Sequence, residues 1–275
     1  MITVDLHNHT HHSHAKDTVA AMAASAFEKG LKTIGFSEHS LRPNGYAYPN
    51  DYQPRLAMGF PLYIKEVLEA KEAYTGRMEV LLALEMDYMP NEEAYARKAV
   101  YAYPYEYIIG GLHFQGHWGF DFARADWEAL SETTRGEYFV RYYRDLASMA
   151  RTKLFQTAAH PDLVKLFCKE SFDTWLQNKD ALDVIREALG AFRDNGMAME
   201  VSSASIRKGL SEPYPGPVVM GMARDLGVPI VFGSDAHNTA DVASHFDLLA
   251  SYAQHFGYTD SAVFRKRAMT LQPFI

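Results

Sequence analysis

Short apolar, β-branched runs alternate along the whole chain with longer stretches of helical period. Runs that are wholly apolar or alternate with period two predict strands at Ile2 to Leu6, Thr33 to Phe36, Val80 to Leu84, Tyr107 to Leu112, Leu154 to Ala159, Met197 to Val201 and Pro229 to Gly233. Between and after them, apolar positions recurring every three or four residues predict helices. These cover Thr18 to Lys29, Leu62 to Tyr74, Glu92 to Tyr101, Glu137 to Arg151, Asp180 to Asp194, Pro217 to Leu226 and Ala240 to Phe256. Gly30, Gly196 and Gly227 each stand between a helix and a strand, where a helix C-cap is expected. Strand followed by helix, seven times over, predicts an α/β fold with a parallel sheet closed or covered by helices. No Pro/Gly/Ser-rich linker or shift of composition interrupts the pattern, so one domain over residues 1–275 is expected. Residues 41–60 and 114–130 read as two long loops, both placed to shape a pocket.

Composition narrows the picture. A length of 275 residues suits a barrel without division, and nearly half the residues are hydrophobic. The formal net charge of -7 argues against an open nucleic-acid-binding face. It leaves room for a small anionic substrate, because bound cations reverse a local potential. The single Cys168 excludes an intramolecular disulfide and fits a reducing cytoplasm. The N-terminus reads as a strand rather than a leader, and no apolar run approaches membrane-spanning length. The expectation is a cytoplasmic protein with neither nucleic acid nor membrane as partner.

The ends of the predicted strands carry the chemistry. The first runs into Asp5-Leu6-His7-Asn8-His9-Thr10; later ends supply His39, Glu85, His113, His160, and Asp235 with His237. Loops at the C-terminal ends of barrel strands converge on one mouth, which would gather these residues there. Residues two apart in a strand face the same side, so His7 and His9 can both point inward, as can Asp235 and His237. A carboxylate such as Glu85 has two oxygens and can bridge two cations. Mixed imidazole and carboxylate donors fit zinc, iron or manganese better than calcium or magnesium alone. Asp5, Glu38 and Asp162 sit beside these positions, either orienting an imidazole or serving as ordinary loop carboxylates.

Architecture and motifs together resemble the polymerase and histidinol phosphatase superfamily. The stretches Leu84-Glu85-Met86-Asp87-Tyr88, Gly111-Leu112-His113-Phe114, Trp118-Gly119-Phe120-Asp121 and His160-Pro161-Asp162 look like its histidinol-phosphate phosphatases. So does the run from Glu200 through Ser205-Ile206-Arg207-Lys208 to Tyr214-Pro215. The resemblance covers essentially the whole chain and implies a distorted (β/α)7 TIM-like barrel holding three divalent transition-metal ions at the C-terminal face of its strands. It implies one ion on His7, His9, Glu85 and Asp235. A second would lie on His14, His39 and His160, and a third on His113 and His237, with Glu85 bridging the third to the first. In the family the third histidine of the first motif usually lies six residues after the second. Here His9 to His14 is five, and His12 is the rival; His11, His245 and His255 read as surface residues.

Ions so arranged lower the pKa of water, clamp phosphoryl oxygens and stabilise an in-line displacement. The implied reaction is hydrolysis of a phosphomonoester, L-histidinol phosphate to L-histidinol and inorganic phosphate, with a metal-bridging hydroxide as nucleophile. A phosphoesterase acting on nucleotides or other small phosphomonoesters is the alternative. A metal-dependent amidohydrolase would want a metal-bridging lysine on a later strand, and no predicted strand end offers one. Glu85, Asp235, His237 and Arg207 are the expected catalytic residues. Phosphate calls for fixed cationic donors, expected in the order Arg207, Lys165, Arg42. Trp118 and Asp121 are candidates for the amine or imidazole end of the substrate, with Trp118 equally suited to plain packing.

Overall fold

Alternating inward and outward side chains on seven short strands build the centre of the molecule. In the computed structural model, which describes residues 1–49 and 51–274, the strands are β1 (Val4–Asp5), β2 (Thr33–Phe36), β3 (Glu79–Asp87), β4 (Tyr107–Gly111), β5 (Thr157–Ala158), β6 (Ala198–Ser202) and β7 (Ile230–Gly233). Asn50, within the predicted loop 41–60, and Ile275 lie outside the described residues. The strands pair in parallel and in chain order. The ring is drawn shut between its first and last members: Leu6 N donates to Phe232 O at 3.0 Å and His9 N to Ala236 O at 2.9 Å, with Asn8 and Ala236 in a parallel bridge. The fold is a distorted TIM-like barrel of seven strands.

Period two divides the apolar residues into two cores. Val4, Leu6, Leu81, Ala83, Tyr107, Ile109, Ala198 and Val231 point into the barrel. Their neighbours Val80, Leu82, Leu84, Ile108, Met199, Val201, Ile230 and Phe232 point outward and pack in the larger core with the helices. A terminal hairpin, Asp260–Arg265 against Ala268–Pro273, brings Ala262, Val263 and Phe264 into the inner core. The periodicity did not predict this hairpin. Continuing the inward row of β3 past Leu81 and Ala83 leads directly to Glu85 and Asp87. The row that sets the core thus also sets the site.

Several boundaries moved. The predicted first and fifth strands shrink to two paired residues each. Helix α1 spans Val19–Glu28, while α2 runs Gln53–Ala73 and takes over the second half of the predicted loop 41–60. Pro54, Gly59 and Pro61 read as loop signals, but Pro54 lies in the first turn, where its missing N–H costs nothing. Leu56, Phe60, Tyr63, Ile64 and Val67 bury one helical face. Loop 114–130 contains a small ribbon, Phe114–Gln115 against Trp118–Gly119, and a short helix Arg124–Glu128. The last predicted helix starts later, at Phe246.

Candidate metal centre

All the strand-end histidines and carboxylates meet at the C-terminal mouth of the barrel. Glu85, 2 % exposed, lies at the middle. Its Oε2 is 3.4 Å from both His7 Nε2 and His9 Nε2 and 2.9 Å from His39 Nδ1. Its Oε1 faces the other way, 3.3 Å from His160 Nε2 and 3.6 Å from His113 Nε2. Asp235 Oδ1 closes the first group, 3.2 Å from His9 Nε2 and 3.7 Å from His7 Nε2. His14 joins from the loop after β1, its ring 4.4 Å from that of His237 and 5.0 Å from that of His39. His12 turns away from the mouth, its Nε2 3.0 Å from Glu66 Oε2.

The grouping differs from the expected one in a single exchange. Donor atoms of Glu85, His113 and His160 lie within 4.8 Å of one another, as do those of His9, His39 and His237. His160 therefore sits with His113, and His237 with His39 and His14. Strand order is the reason. His113 and His160 follow the adjacent strands β4 and β5, whereas His14, His39 and His237 follow β1, β2 and β7, which adjoin across the closure.

Carboxylates and hydroxyls hold the imidazoles. Glu200 continues the inward row of β6, and its Oε1 is 2.7 Å from His7 Nδ1 while its Oε2 accepts from His160 N at 2.7 Å. Gly233 on β7 makes room, since a Cβ there would run into Glu200 and lie 2.7 Å from His7 Cβ. Asp87 pairs with His113 Nδ1 and accepts from Arg42 Nε at 2.5 Å. Glu38 lies 3.4 Å from His9 Nδ1 and is fixed by Thr10 and Ser13 hydroxyls, each at 2.5 Å. Of the three flanking carboxylates, then, only Glu38 touches an imidazole. Asp5 accepts from Ser234 and from Ala243 N, and Asp162 from Lys165 and Gly216 N. The parts played by Glu200 and Asp87 escaped the sequence reading, although their place on the inward rows marks them. His160 and Asp235 adopt positive φ of 24° and 52°, a conformation costly for non-glycine residues and common where a site dictates the backbone.

Charge is finely divided. Burial works against protonation of His7, but Glu200, Glu85 and Asp235 outweigh it and lift its pKa well above the usual histidine value. For His9 the same contest, with Asp235 and Glu38 as partners, ends at about 9. His113 reaches about 9 against burial through Asp87. Burial and the neighbouring His9 depress His14 to about 4 and His237 to about 3. Despite burial, His7 and His39 hold the Glu85 carboxyl well below the usual range.

One observation tests whether cations fit here. Nε2 of His7, His9, His39 and His237 and Oε1 of Glu85 are buried without hydrogen-bond partners. Each such orphan costs about 1–3 kcal/mol, and five gathered at one mouth are unexplained by packing. Divalent cations coordinated by these atoms would satisfy all of them at once, and imidazole with carboxylate is the donor set of zinc, iron and manganese.

The mouth opens into a cavity of about 310 Å³ lined by Arg42, Tyr48, Tyr52, Asp121, Phe122 and Lys208 beside the cluster. Arg42 reaches it but is bound by Asp87 and by Asp51 at 3.1 Å. Arg207, expected to clamp phosphate, does not line the cavity: its Nη atoms donate to Ser234 O at 2.6 Å and Asp235 O at 2.7 Å. Lys165 is fully buried elsewhere, between Asp162 at 2.6 Å and Glu212 at 2.8 Å. Lys208 lines the mouth as well, its Nζ 3.6 Å from Asp235 Oδ2. Asp121 lines the cavity and accepts from Tyr48 Oη at 2.5 Å, whereas Trp118 packs on Trp127 and Tyr138. Among the described residues no helix is long and apolar enough to cross a membrane.

The PHP domain model matches residues 5–204. A Deinococcus radiodurans protein named "Probable histidinol-phosphatase" is 33% identical over 245 residues, covering 88% of this chain and 89% of that protein. The histidinol-phosphatase of Bacillus subtilis is 26% identical over 252 residues, covering 85% and 92%. The fold is shared with the histidinol phosphate phosphatase of Lactococcus lactis, solved with zinc, L-histidinol and phosphate. There the TM-score is 0.75 at 16% identity, over 98% of both chains.

Proposed function

The chain belongs to the PHP domain family, and from that footing we propose that it is a metal-dependent phosphomonoester hydrolase converting L-histidinol phosphate to L-histidinol and inorganic phosphate. The buried, unpartnered donor atoms around Glu85 carry this reading, together with the names of relatives that span most of the chain. We assign His7, His9, Glu85 and Asp235 to one ion, Glu85, His113 and His160 to a second, and His14, His39 and His237 to a third. Zinc, iron and manganese suit that donor set. Such ions, when bound, activate water near neutral pH and neutralise charge developing on phosphoryl oxygens.

The chain's own residues do the rest. Glu200, Asp87 and Glu38 fix the imidazoles of His7, His113 and His9 so that their free nitrogens converge. Lys208, half-exposed in the cavity lining, offers an ammonium to the phosphoryl group, and Arg42 a guanidinium held in place by Asp87 and Asp51. Asp121, with Tyr48, Tyr52 and Phe122, gives the cavity lining an acidic and aromatic part, which suits a substrate whose other end carries an amine and an imidazole. The whole chain is taken to act as one domain, and its single cysteine supports placing the reaction in the cytoplasm.

The test is release of inorganic phosphate from a panel of phosphomonoesters by protein reconstituted with zinc, manganese or iron. Histidinol phosphate should exceed nucleoside monophosphates and sugar phosphates in kcat/KM. A preference for nucleotides would replace the substrate, and no release from any ester would remove the phosphatase reading.

A further inference from the structure

A second group of metal-type donors lies outside the mouth, where loop 10–14 crosses helix α2. His11, His12 and Glu66 each present a ligand atom within 4.8 Å of the others. We propose that they form an accessory site for one zinc-class divalent cation, separate from the centre built on Glu85.

The loop is set for this by its backbone. His11 N donates to Asp17 O at 2.9 Å and His12 N to Thr10 Oγ1 at 3.4 Å, so the two rings stand side by side with centroids 4.2 Å apart. The helix contributes a matching face. Gly59, Tyr63 and Glu66 are spaced four and then three residues apart and so share one side of α2. Gly59 lets the His12 ring lie against the helix, since a Cβ there would sit 3.0 Å from His12 Nδ1. Tyr63 borders the ring at 6.0 Å, and Glu66 Oε2 reaches His12 Nε2 at 3.0 Å.

A plain ion pair between His12 and Glu66 leaves one observation unexplained. His11 Nδ1 is buried and has no hydrogen-bond partner. A cation shared by the three residues gives that pair a common function with His11. Two imidazoles and one carboxylate form a recognised zinc donor set, with the fourth position left to water. Donor atoms around one tetrahedral zinc lie roughly 3.4 Å apart, so the wider spacings within the 4.8 Å group must close while His12 and Glu66, at 3.0 Å, separate slightly. Glu66, with its side chain 27% exposed, has the freedom to do so. The ion would staple loop 10–14, which carries His14, to the helix whose N-cap residue Tyr52 stacks on His14 at 5.0 Å.

Metal analysis after equilibration of the holoprotein with micromolar free zinc tests the site. Wild type should retain one zinc per chain more than Glu66→Gln or His11→Ala. The same difference should persist on a Glu85→Gln background, which separates it from ions of the mouth. Zinc should also raise the melting temperature of wild type more than that of either variant, by mass action. Equal zinc content in wild type and both variants overturns the site. If one variant fails to fold, the other decides.

Discussion

Glu200 joins His7 to the turn that carries His160: one carboxylate oxygen lies 2.7 Å from His7 Nδ1 and the other accepts from His160 N at 2.7 Å. A residue outside the group facing Glu85 thus fixes members of two proposed ion sites. Glu200→Gln should weaken metal affinity by about 10–100-fold, the usual loss when an imidazole's orienting carboxylate is removed. Chelator competition measures this, and an unchanged affinity would refute the positioning role.

Glu85→Gln keeps the shape of the central side chain and removes its charge. The variant should fold, lose at least one ion and lose phosphatase activity. Full metal occupancy with near-normal turnover would remove Glu85 from the centre.

The loop after β1 offers a direct contrast. His14→Ala should deplete an ion of the mouth and depress the rate. His12→Ala should keep the ions of the mouth, because its side chain pairs with Glu66 instead. The phosphatase rates decide, with metal content read on a Glu66→Gln background that already lacks the proposed accessory ion; the reverse pattern would transfer the role to His12.

Neighbouring cations are expected to divide, Lys208 meeting substrate at the cavity and Arg207 holding the turn of Ser234 and Asp235. Lys208→Ala should lower kcat/KM by about 10–100-fold and weaken inhibition by inorganic phosphate in parallel. Arg207→Ala removes two hydrogen bonds to the carbonyls of Ser234 and Asp235, so it should cost about 2 kcal/mol of stability while leaving phosphate inhibition in place. Loss of phosphate inhibition in Arg207→Ala alone would return the clamp to Arg207.

Protons and cations compete for the same nitrogens. In the metal-free protein His9 and His113 titrate at about 9, so below that pH they hold protons that a metal must displace. His14 at about 4 and His237 at about 3 are already neutral at pH 7 and release none. Loading chelator-stripped protein with zinc should therefore release protons from His9 and His113 at pH 7, roughly two per chain, with His7 adding to them, and the share from His9 and His113 should fall steeply by pH 10. An indicator dye reads this, and metal affinity should rise with pH between those limits. No release at pH 7 would contradict the charge assignment.

The sequence by itself determined the strand-and-helix alternation and the side chains placed at the strand ends. Both follow from local periodicity: period two puts Leu81, Ala83, Glu85 and Asp87 on one inward row whatever the barrel around them. Only the tertiary structure decided which side chains stand together. His160 joins His113 because β4 and β5 are neighbours, and His237 joins His14 and His39 because β1 and β7 close the ring. Spacing along the chain carries no information about adjacency across a closure. The same limit hid the fate of the cations: Lys165 ends between Asp162 and Glu212, Arg207 on two backbone carbonyls, and Lys208, one residue further on, at the mouth. Arg207 ends a short helix, Ala204–Arg207, and Lys208 is its C-cap, so the two side chains leave in different directions and the surrounding barrel determines which one faces the site.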